Sequence, residues 1–158
     1  MPIKQSIWKI GSKPTPLLHS KLDNEEILEV MIENDPSILE DEWLILGRQV
    51  VTKYKKEIDL LAIAPDGSLV VIELKKSKTP RDVVAQAIDY ATWVEELKAE
   101  DISAIYENYS KGKNLKDAFK TKFQIELEEE NLNQNHQLVI VASELDDATE
   151  RIISYLTD

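Results

Sequence analysis

The stretch EIDLLAIAPDGSLVVIELKK, from Glu57 to Lys76, holds two acids and a base at a spacing that a short hairpin would gather. Two apolar runs, Glu57 to Ala64 and Ser68 to Lys75, flank Pro65-Asp66-Gly67, a tight-turn sequence in which glycine supplies a positive φ. They read as an antiparallel hairpin. With a three-residue loop Ala64 faces Ser68, and the register carried back along both strands sets Asp59 opposite Glu73 on one face of the sheet. Opposed like charges destabilise each other unless something positive lies between them, so this register implies a cation. Oxygen ligands, in a chain with no cysteine and no nearby histidine, point to magnesium or manganese rather than zinc. Lys75 returns to the face of Glu73, where an ammonium can orient or help deprotonate an attacking water, or stabilise charge developing on a phosphate. A competing reading leaves Asp59 and Glu73 on a solvated face and pairs Lys75 with Glu57, which the same register sets opposite it. Position speaks against that alternative. Leu60 to Ala64 and Leu69 to Ile72 are apolar, so these charges stand at the end of a buried sheet.

The elements that would carry these residues follow from patterning. Ile3 to Ile10 reads as a short strand and Gly11 to Pro16 as a turn-rich connector. A helix is expected from Asp23, with Asp23 as N-cap, Glu26 completing a capping box, and Ile27, Leu28, Met31 and Ile32 on one face. It should stop before Pro36. Trp43 to Tyr54 reads as a further strand. Thr79-Pro80-Arg81-Asp82 opens a second helix, with Thr79 as cap and Pro80 first, and Val83, Val84, Ala87, Ile88, Ala91, Val94 and Leu97 keep helical spacing. Asp101 to Phe123 reads as one or two helices interrupted by Gly112, Gln137 to Ser143 as a buried strand, and Asp147 to Leu156 as a closing helix. The order predicts a single mixed α/β domain over 1–158, an antiparallel meander followed by a crossover, with the motif-bearing core at 23–97. Trp8, Trp43 and Trp93 read as packing residues.

Asp59 followed at a distance by Glu73-Leu74-Lys75 resembles the PD-(D/E)xK nuclease superfamily. Gln86 and Tyr90 give the Q-x-x-x-Y pattern of its RecB-like branch, and Glu25 with Leu28 gives the E-x-x-L of its first helix. More closely, NEEILEVMIENDPSIL and EIDLLAIAPDGSLVVIELKKSKTPRDVVAQAIDY look like the nuclease domain of NucS-like endonucleases and their stand-alone relatives, over about Glu25 to Leu97. The leading proline of the motif is Ile58 here. The resemblance implies a restriction-endonuclease-like fold, with a mixed central sheet flanked by helices. It implies that Asp59, Glu73 and the backbone carbonyl of Leu74 bind magnesium or manganese, that Glu25 completes the shell directly or through water, and that Lys75 positions the nucleophile. Glu26 is the neighbouring candidate for the helical carboxylate. Gln86 and Tyr90, one turn apart, would order the metal site or contact nucleic acid; their alternative is an ordinary half-buried helix shoulder.

Charge bounds the partners. Lys and Arg number 19 against 30 Asp and Glu, a net charge of −11 over 158 residues, which argues against coating nucleic acid or anionic membrane. Without cysteine there is no disulfide framework or thiolate nucleophile, and no stretch approaches the roughly 20 apolar residues of a membrane span, so a cytoplasmic protein is expected. Between Gly47 and Arg81, however, bases outnumber acids. Arg48, Lys53, Lys55, Lys76, Lys78 and Arg81 are the candidate nucleic-acid contacts. Lys111, Lys113, Lys116, Lys120 and Lys122 form a second basic stretch, either another cleft wall or a solvated helix face, with Tyr106, Tyr109 and Phe123 near it as base-stacking or core residues. The expectation is a metal-dependent nuclease acting on DNA, branched or single-stranded by the resemblance, with homodimerisation open. The alternative is a nuclease-fold module that binds DNA or protein without cleaving. A small-molecule phosphohydrolase ranks last, for want of a glycine-rich phosphate loop.

Overall fold

The computed structural model describes residues 7–17, 24–79 and 81–157, without the side chains at 77–79 and 143–144. Its core is a four-stranded mixed sheet built from β3 (Leu44–Val51), β4 (Glu57–Ile63), β5 (Leu69–Thr79) and β6 (His136–Leu145), in that spatial order. The first three run antiparallel as a meander and β6 lies parallel to β5. This is the expected meander and crossover. The crossover carries α2 (Asp82–Glu95), α3 (Ala99–Tyr109) and α4 (Leu115–Phe123), while α1 (Glu25–Asn34) precedes the sheet and α5 (Asp147–Thr157) follows it.

The central hairpin has the register its turn dictates. Ala64 N–H donates to the Ser68 carbonyl at 2.9 Å and Gly67 N–H to that of Ala64 at 3.0 Å, with Gly67 at φ 85°. Leu60 then pairs with Ile72 and Ile63 with Leu69. Alternation along these strands makes two apolar layers. Leu61, Ile63, Leu69 and Val71 pack under Trp93, Val94, Ile102 and Phe119 of α2, α3 and α4. Leu60, Ala62, Val70, Ile72 and Leu74 pack against Ile32 of α1, with Trp43 and Ile45.

One pair of positions breaks the alternation. Arg48 pairs with Leu60 and Val50 with Ile58, but between them Gln49 has φ 50°, the left-handed region that side chains disfavour. Ile58 and Leu60, two apart on β4, consequently join opposite layers. Both strands change face where Gln49 stands across from Asp59.

Several local expectations are corrected. The connector at Gly11 to Pro16 contributes to a strand: β1 (Ile7–Lys9) pairs antiparallel with β2 (Thr15–Leu17), apart from the main sheet, and Trp8 there is 52% exposed instead of packed. Residues 3–6 of the expected first strand, and Asp23, lie outside the described residues. The helix cap is Asn24, whose Oδ1 accepts from Ile27 N–H at 2.9 Å; Glu26 is thereby one position too early to close a capping box. β3 ends at Val51 because Thr52 to Lys56 form the hairpin turn, with Lys55 at φ 59°. β5 runs on through Thr79, so Thr79 is strand instead of cap, and Arg81 stands at the N-cap of α2 without a side-chain cap bond. Tyr106 is buried, Tyr109 half-buried against the same layer, and Phe123 packs edge-on to Phe119 with ring centroids 4.6 Å apart, so these three are core residues.

Gly67 and Gly112 both have positive φ, but only at Gly67 would a Cβ collide, at 2.6 Å from the Asn131 carbonyl oxygen. Gly112→Ala should therefore lose about 1 kcal/mol, the left-handed penalty alone, and Gly67→Ala clearly more. Urea unfolding of both variants checks this. Equal losses would contradict the close approach of the 131–133 loop to the hairpin.

Candidate active site

Three carboxylates from three elements converge on consecutive residues of β5. Glu73 continues the row of Leu69 and Val71 toward α2, and is only 1% exposed. Its Oε1 accepts from Lys75 Nζ at 2.7 Å, two residues on and on the same face. Asp59, where β4 changes face, accepts the Leu74 N–H on Oδ2 at 2.7 Å. Glu25, the first residue of α1, accepts the Lys76 N–H on Oε1 at 2.8 Å. The ladder between β4 and β5 ends at Leu60 and Ile72, and beyond it the Asp59 side chain takes over as the link between the strands. Lys75 bonds Glu73 and not Glu57, so the solvated-face pairing does not form.

Burial sets the electrostatics. Desolvation pushes the Glu73 carboxyl up to about 7, helped by the charges of Asp59 and Glu25 and opposed by Lys75. Asp59 is also raised, chiefly by burial, against the Leu74 N–H and the Lys75 charge. For Lys75 burial works downward, yet the Glu73 bond and the surrounding carboxylates outweigh it and hold the ammonium above its ordinary value. Lys75 is thus a fixed cation at neutral pH, suited to orienting an oxygen or stabilising negative charge and unsuited to taking a proton.

The site holds three carboxylates against one ammonium. Glu73 Oε2 is buried without a hydrogen-bond partner among the described residues, a state that costs about 1–3 kcal/mol or more for a charged oxygen. A hard divalent cation seated against that oxygen would relieve it, so the residues present fit such an ion. No group of three or more His, Asp or Glu side chains among the described residues is gathered tightly enough to hold a metal unaided.

Gln86 and Tyr90 are brought to this site by α2. Gln86 Nε2 donates to the Tyr90 hydroxyl at 2.7 Å, and that hydroxyl donates to the Glu57 carbonyl at 2.6 Å, two residues before Asp59. Tyr90 is 2% exposed. Both its hydrogen-bonding capacities are used inside the fold, so it fixes α2 onto the strand carrying Asp59.

Glu29, one helical turn after Glu25, is a buried carboxylate that the sequence motifs do not mark. It accepts from Arg48 Nε at 2.6 Å, with Glu26 and Glu33 each 3.6 Å from the same guanidinium. The signal was the i, i+4 spacing from Glu25, which puts both acids on the sheet-facing side of α1. Arg48, expected to contact nucleic acid, is therefore committed to α1. Lys53, also expected there, bonds Glu96. Lys55 is exposed in the hairpin turn, Lys76 and Arg81 are exposed, and the Lys78 side chain lies outside the described residues. In the second basic stretch Lys116 pairs with Glu129 and Lys120 with Glu126, the habit of a solvated helix face. Among the described residues no helix is long and apolar enough to cross a membrane.

Comparison with known proteins agrees with this geometry. A repair endonuclease from Pyrococcus abyssi superposes with TM-score 0.53 at 17% identity, covering 90% of this chain and 47% of its own. EndoMS in its complex with dsDNA superposes with TM-score 0.52 at 14% identity, covering 96% of this chain and 61% of its own, and apo EndoMS does so with TM-score 0.50. The chain thus spans about half to three-fifths of the length of these structures. Their likeness shows that the mixed α/β fold is similar to that of these structures. A model described as the nuclease-related domain matches residues 21–143, most of the chain, and by that match the chain belongs to the nuclease-related domain family.

Proposed function

We propose that this chain is a divalent-metal-dependent nuclease that hydrolyses phosphodiester bonds in DNA, branched or single-stranded DNA above other forms. The observation that carries the reading is the buried Glu73 carboxylate, its Oε2 without a partner, beside Asp59 and the Lys75 ammonium. Asp59, Glu73 and the Leu74 carbonyl would hold magnesium or manganese, with Glu25 adding a direct or water-mediated contact. The bound ion would supply Lewis acidity toward the scissile phosphate and lower the pKa of a coordinated water. The protein's own residues do the rest. Lys75 holds the attacking oxygen in line and offsets charge developing on the phosphate. Glu25, bonded to the Lys76 N–H, keeps the end of β5 in place, and Gln86 with Tyr90 keeps β4 in place.

The second reading, a module that binds without cleaving, draws support from the absence of a tight three-carboxylate group among the described residues. The DNA in the EndoMS complex belongs to that protein, and suggests the substrate class here by analogy alone.

Purified protein with labelled flap and single-stranded DNA and manganese should give cleavage that drops about a hundredfold or more in Glu73→Gln and in Lys75→Met. Binding of the same DNA without cleavage by the wild type would favour the module instead. Tyr90→Phe removes the bond to Glu57 and should lower kcat severalfold with DNA affinity unchanged; an equal loss in affinity would make Tyr90 a substrate contact. In metal-free buffer the Glu73 proton is held more tightly in the folded than in the unfolded chain. Its stabilisation is therefore full below about pH 4.5 and is lost as the pH rises through about 7. Relative to Glu73→Gln, the wild-type melting temperature should fall over that window, by stability on the order of 2–3 kcal/mol, and saturating manganese should abolish the fall. Parallel curves for the two proteins would refute the burial of an ionisable Glu73.

A further inference from the structure

The chain has three arginines, and the structure uses them differently. Arg48 is locked to α1 by three carboxylates. Arg81 and Arg151 are both exposed, form no ion pair among the described residues, and line one cavity of about 320 Å³ between the start of α2 and α5. Ala148, Ile152, Tyr155 and Leu156 complete its lining. Tyr155 is 83% exposed, the most exposed aromatic among the described residues, and stands one helical turn from Arg151 on the same face of α5.

Topology sets this cavity beyond the end of the strand that carries the candidate active site. β5 carries Glu73 and Lys75 and ends at Thr79, which pairs in parallel with Leu145 at the end of β6. Arg81 follows the end of β5, and α5 begins two residues after the end of β6.

An exposed tyrosine beside two exposed guanidinium groups has the chemistry of a single-strand platform: a base stacks on the ring while the arginines meet the flanking phosphates. An acidic protein or peptide would satisfy the arginines but leave the ring without a flat partner. Net charge makes the pairing informative. In a chain at −11, Lys53, Lys116 and Lys120 are each paired with a glutamate, and among the described residues these two arginines form no such pair.

We propose that Arg81, Arg151 and Tyr155 form, beyond the end of β5, a binding site for an unpaired DNA strand, with a base stacked on Tyr155 and phosphates on the arginines. This rests on the reading of the chain as acting on DNA.

Fluorescence anisotropy with a fluorescein-labelled 20-nucleotide oligothymidylate, on the full chain carrying Glu73→Gln to prevent cleavage, tests it. Tyr155→Ala should weaken binding about tenfold and Tyr155→Phe should restore it, since phenylalanine stacks as well. Arg81→Ala and Arg151→Ala should each weaken binding and lower the salt slope, log Kd against log salt, by about 0.7. All three side chains are exposed, so the variants should keep the parent melting temperature. Binding and salt slope unchanged in the Tyr155→Ala, Arg151→Ala double variant would overturn this site alone, leaving the nuclease reading intact. Failure of the Glu73→Gln parent and the wild type to bind any oligonucleotide would overturn both.

Discussion

The burial of one carboxylate governs this structure. Glu73 sits at the inner end of an apolar strand, where an ionised group is costly unless its oxygens are satisfied. Lys75 satisfies one oxygen and nothing among the described residues satisfies the other. Everything around the site can be understood as a response. Asp59 is turned into the same place by a switch of face in β4, and its own oxygen is spent on the Leu74 N–H, which closes the sheet where the ladder stops. A fold selected for stability alone would replace such a pair with apolar residues, since buried charge is seldom the best way to stabilise a core. The neighbouring positions of β5, Leu69 to Ile72 and Leu74, are apolar and buried.

Positioning is achieved from both faces of the sheet. On one face α2 is tied to β4 by the Tyr90 hydroxyl at Glu57. On the other, α1 is held down by Arg48, which reaches from β3 to Glu29 and its neighbours, and this delivers Glu25 to the end of β5. Arg48 pairs across the sheet with Leu60, the residue after Asp59, so the clamp on α1 and the acid on β4 share one stretch of backbone. Gln49, next to Arg48 and in the left-handed region, is the point where local strain is accepted to set both. Strain of this kind persists only where surrounding packing over-determines it, as the two apolar layers do here.

How much of this was legible in the sequence depended on whether a residue's role was local. The hairpin register was legible because Pro65-Asp66-Gly67 fixes loop length, and loop length fixes which residues face each other. The helices of the crossover and the parallel last strand followed from periodicity and the handedness of connections. The first helix's cap was misplaced by one residue because Asp23 and Asn24 are both good caps and the sequence does not rank them. Thr79 and Pro80 look like a helix start, yet pairing with β6 carries β5 through Thr79 first, a tertiary contact overriding a local signal. Arg48 was the least legible. A basic residue near a basic run reads as a phosphate contact, and only the fold shows three carboxylates from α1 arriving at it. The face switch at Gln49 left no sequence signal at all, since no glycine marks it.

Net charge looks at first like an obstacle to any polyanionic partner, but screening limits its reach. At physiological salt the Debye length is about 8 Å, so a phosphate responds to charges within one or two side-chain lengths and not to the chain's total. At that range the acidic excess is divided: the run at Glu126 to Glu130 faces Lys116 and Lys120, and the acids of α1 face Arg48. At the candidate site the negative charge is that of Asp59, Glu73 and Glu25, countered by the one ammonium of Lys75. A divalent ion there would bring the three carboxylates and the ammonium to neutrality. On the proposed function, metal uptake and the approach of a phosphodiester would be thermodynamically linked: each would lower the free energy of the other, and the affinity gained by one on binding the other would be equal in both directions.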